Sequence, residues 1–249
     1  MTENTESKVG VSIECAAAWD FVVPSRATTL SEVTEECIRR YQQLFEAFGD
    51  LIIPTEIQTE VEIHDEDRRL VDVGQDRNPR DRNEIVLTGE EISPPDVAAA
   101  TKSEGNGVSY LTDIRIRWAR IKLRLRQGDK LVDRQDCIQY MKGEPRPDGV
   151  LPAPMECSVT HYRSKESDPV DTEYKTVISV NLHSDVWMGG SEPARVNRER
   201  LGTFLGKLDE AVSPAEIKRE CYEWDDFWYN LSVTTDEWGR HTFDPAAIY

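Results

Sequence analysis

The 249-residue sequence predicts an α+β fold: a mainly antiparallel sheet with one early helix and a carboxyl-terminal helical pair. Three observations predict it. Strand-like runs with a two-residue period follow one another through the middle of the chain, too closely for the crossover helices that parallel strands need. One strongly periodic, well-capped helix lies between the first two of these runs. Two further helical patterns come together near the end, after the strands are complete. We expect a single domain over residues 1–249, with an acidic tail over 1–7 and a long insertion, a candidate for mobility, over 73–107.

Val9, Val11, Ile13 and Cys15 alternate with Lys8, Gly10, Ser12 and Glu14, as in a strand with one buried face. Thr29-Leu-Ser-Glu32 is a capping box. Val33, Cys37, Tyr41, Leu44, Phe45 and Phe48 follow it at helical spacing, and Gly49 ends the run. Thr55, Ile57, Thr59, Val61 and Ile63 then alternate with Glu56, Gln58, Glu60, Glu62 and His64. Between Val73 and Gly107 only Ile85-Val-Leu87 and Asp96 to Ala100 carry an ordered pattern, and structureless stretches of that length are uncommon in compact domains.

Strand patterns return over Val108 to Leu125 and Leu131 to Met141, and the prolines from Pro145 to Pro154 mark a loop. Cys157 to Arg163 and Tyr174 to Trp187 flank a turn-like Ser164–Pro169 segment and predict a hairpin. Val196, Leu201, Phe204, Leu205 and Leu208 make a helical stripe. Ser213-Pro-Ala-Glu216 repeats the capping-box pattern ahead of Ile217, Cys221, Trp224 and Trp228, which predicts the second helix of the pair. A short strand is expected near Leu231 to Thr234.

Charge restricts function more than any motif does. Thirty basic residues against 47 acidic ones leave −17, which opposes wrapping nucleic acid or docking on anionic lipid. No run of 18 apolar residues exists, and the acidic first residues lack a secretory apolar core, so the expected location is cytoplasmic. Of the basic residues 21 are Arg and nine are Lys. Acid excess with scarce Lys resembles the proteomes of salt-accumulating halophilic archaea; an Arg-rich bacterium making one acidic protein is the competing account. The five cysteines, Cys15, Cys37, Cys137, Cys157 and Cys221, show no metal-site spacing and read as buried thiols.

Two constellations carry candidate chemistry. Arg115, Arg117, Arg120, Lys122, Arg124 and Arg126 alternate with apolar residues, and the phase slips at Ala119-Arg120, as at a bulge. This stripe either pairs with an acidic neighbouring strand such as Glu56, Glu60 and Glu62, or binds an anion or a partner. Trp118 stands on the opposite face, which disfavours single-stranded nucleic acid. Ser179, Asn181, His183 and Asp185 share one strand face. Ser179 and His183 lie about 13 Å apart at roughly 3.3 Å per residue, too far for a nucleophile and its base. His161 and His183 are the histidines a hairpin could bring together, and His64-Asp-Glu-Asp67 offers metal-ligand types without a calcium loop's length or glycine. No zinc-protease, phosphate-loop, dinucleotide or nucleophile-elbow motif occurs, so we expect no metal and no cofactor. Trp238 and Tyr249, outside any periodic element, are candidates for a partner-facing patch.

The segment Ser179–Trp187, followed by Arg195–Leu205, resembles a stretch of uncharacterised actinobacterial proteins in which a His-x-Asp-Val-Trp strand precedes an Asn/Leu/Phe-Leu helix. Asp185, Trp187, Asn197, Leu201, Phe204 and Leu205 carry the match, over about an eighth of the chain. The resemblance implies a strand-to-helix unit and an interaction role.

The expected function is that of a cytoplasmic, acidic, halophile-type protein that binds another protein, in the manner of an immunity protein covering a basic toxin. One alternative is a hydrolase-like enzyme near the 157–187 hairpin, with His183 or His161 as general base, Asp185 orienting it, and an Arg of the stripe holding an anionic substrate. Another is a structural component of a larger or viral assembly. The halophile account makes a prediction of its own. Molar salt shortens the Debye length to about 3 Å and screens self-repulsion. A gain of about 2 kcal/mol would then raise the unfolding midpoint by roughly 4–8 °C between dilute buffer and molar KCl, measured by differential scanning calorimetry.

Overall fold

The alternating runs assemble into one eight-stranded sheet, antiparallel throughout. A computed structural model describes residues 9–11, 17–64, 82–103, 108–136, 141–143, 152–163, 174–184, 186–187, 191–220, 233–235 and 241–243. Across the sheet the strands run β10 (Glu216–Glu220), β2 (Ala17–Pro24), β9 (Tyr174–Leu182), β8 (Met155–Arg163), β5 (Val108–Leu125), β3 (Ile52–His64) and β4 (Arg82–Thr88). The eighth, β6 (Gly128–Val132), pairs with the last residues of β5. Two short ladders stand apart from it: β1 (Val9–Val11) with β7 (Met141–Gly143), in parallel, and β11 (Val233–Thr235) with β12 (His241–Phe243).

Three helices, α1 (Leu30–Phe48), α2 (Pro94–Ser103) and α3 (Glu192–Val212), pack on one face. The register explains why. Phe21, Ile178, Val159, Ile114, Thr59 and Ile85 form one row across six strands, all turned toward the helices. The adjacent row, Lys218, Asp20, Ser179, Ser158, Arg115, Gln58 and Val86, is largely polar and faces the other way. Period-two alternation thus becomes an apolar inner face and a polar outer one.

Helix α1 begins as its capping box predicts. The Glu32 N–H donates to Thr29 Oγ1, and the Thr29 N–H returns a bond to the Glu32 carboxylate at 3.0 Å. Further bonds from Thr28 to the same carboxylate hold Glu32 below the usual range. Gly49 closes the helix at φ 55°, a backbone region that a Cβ makes costly. Val33, Cys37, Tyr41, Leu44 and Phe48 are buried as the spacing requires, and Phe48 packs on Phe204 of α3 with ring centroids 5.7 Å apart.

Three elements differ from the sequence expectation. Ser213 does not open a second helix; it closes α3 in the left-handed region at φ 46°, with its N–H on the Asp209 carbonyl. Pro214 follows, the Ala215 N–H bonds to the Val22 carbonyl, and Glu216–Glu220 pairs with β2 as a strand. The open edge of β2 thereby outcompetes a local helical signal. The rest of that expected helix, from Cys221 onward, lies outside the described residues. Strand β2 itself carries no alternation to betray it, because Ala18 and Val22 on the outer face are buried like Trp19 and Phe21 on the inner one. The strand expected over Leu131–Met141 stops at Val132, where Asp133 and Asp136 exchange backbone-to-side-chain bonds of 2.9 and 3.2 Å at the start of a helical turn over residues 134–136. Within 73–107, β4 and α2 are integral parts of the sheet and its covering layer.

The bulge on β5 is present. Glu56 faces Trp118 and Ile57 faces Ile116, which leaves Arg117 without an opposite residue; Trp118 and Ala119 are both buried as the phase changes. Beyond Ile52 there is no more β3 to pair with. The Lys122 N–H takes the Leu51 carbonyl at 2.8 Å, and then Asn197 of α3 stands in for a strand. Its side-chain oxygen accepts from the Arg124 N–H at 2.7 Å, and its amide donates to the Arg124 and Val186 carbonyls at 3.0 Å each. Arg198 donates to the Trp187 carbonyl beside it. No helix among the described residues is long and apolar enough to cross a membrane.

Asn197→Leu leaves one buried N–H and two carbonyls without partners. We expect a loss of about 3 kcal/mol in urea unfolding, with the m-value unchanged.

Candidate functional site

Sequence reasoning nominated three groups of residues. His161 lies on the inner face of β8, opposite Thr176 on β9; His183 follows the end of β9, level with Pro154. Seven residues of strand separate their positions, roughly 23 Å at about 3.3 Å per residue. The hairpin therefore does not unite the two histidines. Asp185, Trp238 and Tyr249 lie outside the described residues.

His161 sits where β8 passes under α1, 7% exposed, its ring stacked on Tyr174 at 5.8 Å. Its Nε2 is 3.2 Å from Ser25 Oγ. The Ser25 hydroxyl donates its proton to Glu36 Oε2 at 2.5 Å and accepts from the Ala27 N–H. The hydroxyl hydrogen being committed to Glu36, Nε2 carries the ring proton and donates. His161 in this tautomer is no base toward Ser25, and the arrangement differs from a triad, in which the imidazole stands between hydroxyl and carboxylate. Glu36 also pairs with Arg40, one helical turn on, at 3.5 Å. Burial lowers the Arg40 guanidinium below its ordinary value, with Arg39 adding to the effect and Glu36 opposing it. Neither Ser25, Glu36 nor Arg40 was nominated from sequence. The available signal was an acid and a base at i and i+4 inside the apolar stripe of α1.

His183 is buried, with Nε2 3.7 Å from Glu156 Oε2. Ser179 donates to Asp20 of β2 at 2.6 Å across the outer face. That polar row is a ladder of neighbouring strands.

Four of the six cations of the basic stripe are answered by carboxylates of this chain. Arg115 meets Asp113 at 3.4 Å, and Arg117 meets Glu56 at 3.9 Å. Arg120 donates to the Glu90 carbonyl at 2.7 Å, and Lys122 binds Asp50. Arg124 reaches Asp129 at 2.6 Å and Glu192 at 3.0 Å. Arg126 is exposed in the turn to β6. Trp118, opposite Glu56 at the bulge, is buried, its ring 5.4 Å from the Arg134 guanidinium, which also reaches Glu56.

A shallow groove of about 280 Å³ runs between the end of α1 and α3. Phe48, Leu51, Val196 and Phe204 form its floor, and Lys122, Arg200 and Lys207 line it together with Asp50 and Glu199. Arg200 is held by Asp129 at 2.8 Å. Cys37 and Cys157 are buried in the core, where desolvation pushes both thiols far up and leaves them poor nucleophiles. The other three cysteines lie outside the described residues. Among the described residues, no three His, Cys, Asp or Glu side chains stand close enough to hold a metal ion.

No protein family, curated protein or solved structure matches the chain. The residues that carry the actinobacterial resemblance are, where described, structural: Trp187, Leu201, Phe204 and Leu205 are core, and Asn197 completes the edge of β5.

Two predictions follow from these contacts. Glu36→Ala leaves the buried Arg40 uncompensated and the Ser25 hydroxyl without its acceptor; we expect a loss of about 3 kcal/mol in denaturant unfolding, and a smaller one for Glu36→Gln. Hydrogen bonds from Arg124 and then Arg200 hold the Asp129 carboxyl down at about 2. Its folded value lies below the unfolded one, so its contribution to stability is complete above about pH 4 and is lost as pH falls toward 2. An NMR titration of Asp129 should show the low midpoint, and Arg124→Gln should move it up toward the ordinary value of 3.8.

Proposed function

We propose that this chain is an acidic protein-binding module that recognises a partner rich in Lys and Arg, in the manner of an immunity protein. A cytoplasmic, halophile-type setting belongs to the same reading, as does the interaction role implied by the resemblance over 179–205. The observation that carries it is the internal neutralisation of the basic stripe. With Arg115, Arg117, Lys122 and Arg124 each held by a carboxylate of the same chain, the strongest concentration of positive charge no longer offers a site for an anion. The surplus of 17 negative charges is then what a partner meets. The histidines support the reading in the same direction: His161 donates within a buried polar network, and His183 is buried beside Glu156.

The salt regime decides how such a surface works. In dilute buffer an acidic field steers a basic partner over tens of ångströms; in molar salt it is screened beyond about 3 Å, and only pairs in contact contribute. The experiment is affinity capture of the full chain from its own lysate at native salt, with mass spectrometry and light scattering of the complex. We expect one basic protein at near-equal stoichiometry. A solitary monomer at native salt overturns the reading.

A further inference from the structure

We propose that the open edge of β4 takes up an extended segment of the protein partner as a ninth strand, and that this segment carries a basic residue two positions from an apolar one. The proposal rests on the protein-binding reading above and names where, and by what chemistry, the partner docks.

The backbone comes first. The Gly89 N–H donates to the Thr55 carbonyl at 3.0 Å, and the β3–β4 register continues from there without interruption. In a regular antiparallel ladder the residues bonded to the partner strand alternate. Leu87 and Ile85 therefore direct their backbone groups to β3, while those of Glu84, Val86 and Thr88 point outward. Among the described residues no strand pairs with them. A row of outward N–H and C=O groups on an exposed strand is a template for strand addition.

The side chains agree. Ile85 and Leu87 pack against the core, whereas Glu84 and Thr88 are exposed and Val86 is 50% exposed on the outer face. Glu84 stands opposite Glu60 of β3, and Glu60 opposite Asp113 of β5, so carboxylates lie abreast on three neighbouring strands. Arg115 and Thr160 answer the inner end of that row at Asp113. Like charges on adjacent strands oppose pairing. A Lys or Arg on an incoming strand, opposite Glu84, answers the outer end, and an apolar residue two positions along covers Val86. The far edge of the sheet is built differently: among the described residues β10 spans Glu216–Glu220 and exposes Glu216 and Lys218, the charged pattern that discourages strand addition. A second copy of this chain is a poor occupant of β4, since each copy carries −17.

The test uses the full chain and three capped octapeptides. One repeats Lys-Thr-Val-Thr, so that Lys and Val stand two positions apart on one face; one has Glu in place of each Lys; and one is the Lys/Val sequence N-methylated at every second amide. We expect the Lys/Val peptide to slow hydrogen exchange at the Glu84, Val86 and Thr88 amides at least tenfold, with Ile85 and Leu87 unchanged. The Glu/Val and N-methylated peptides should leave all five as they were. Val86→Pro removes an outward N–H while sparing the β3 ladder, and should weaken the Lys/Val peptide at least tenfold. Glu84→Lys, a surface change that leaves the backbone alone, should do the same. Equal binding of the N-methylated peptide, or unchanged affinity in both variants, overturns the proposal. So does a dimer of the parent chain that Val86→Pro dissociates, which would assign the edge to a second copy. Capture of the lysate partner by Val86→Pro as by the parent overturns the docking site and leaves the protein-binding reading standing. The absence of any partner for the parent removes that reading, and the exchange data still report on the edge.

Discussion

Strand β5 is 18 residues long, and the rest of the fold is arranged around satisfying its backbone. Every buried N–H and C=O along it needs a partner, and no single neighbouring strand is long enough to provide them all. On one side β3 pairs from Val108 to Ile121, Leu51 takes the next bond, and Asn197 of α3 finishes the edge. On the other side β8 serves Asp113–Ile116 and β6 serves Ile121–Leu125. A side-chain amide is suited to the role because it holds a donor and an acceptor in nearly the geometry of a peptide group. The docking of α3, the path of the chain through Val186 and Trp187, and the closing of the core against Phe48 all depend on that substitution of side chain for strand.

The same strand organises the charges. One side of β5 faces the core; on the other, acids from β3, the α1–β3 turn, β6 and α3 reach Arg117, Lys122 and Arg124, and Asp113 of the same strand meets Arg115. Arg124, Asp129 and Arg200 link the β5–β6 turn to α3, and the depressed Asp129 carboxyl reflects two guanidinium donors on one acceptor. Exposed pairs of this kind add little stability singly. Their effect is on the surface field: positive charge is tied up internally, and the acidic remainder is displayed.

The polar cluster beneath α1 illustrates a different use of buried charge. Ser25, His161, Glu36 and Arg40 join the end of β2, the inner face of β8 and two turns of α1. Its directional bonds join three elements, so the cluster fixes how the helix sits across the strands, whereas an apolar contact there would allow sliding. The residue types are those of hydrolytic sites. Their order along the hydrogen-bond chain is not, and order determines chemistry.

Much of this protein was legible in its residues. The class, the capped α1, the β3, β5 and β8–β9 strands, the α3 stripe and the slip on β5 all follow from local periodicity, because each buries one face and exposes the other. The candidate sites were legible only as residue types. Two things lay outside local reach. Strand β2 buries apolar residues on both faces, so no clean alternation marked it, and the segment after Ser213 became β10 because β2 had an open edge at that place, a fact held by residues nearly 200 positions away. Likewise the sequence showed Asn197, Glu36 and the stripe of Arg, but not their partners. Hydrogen bonds and ion pairs between distant elements depend on register, and register is set when the sheet closes.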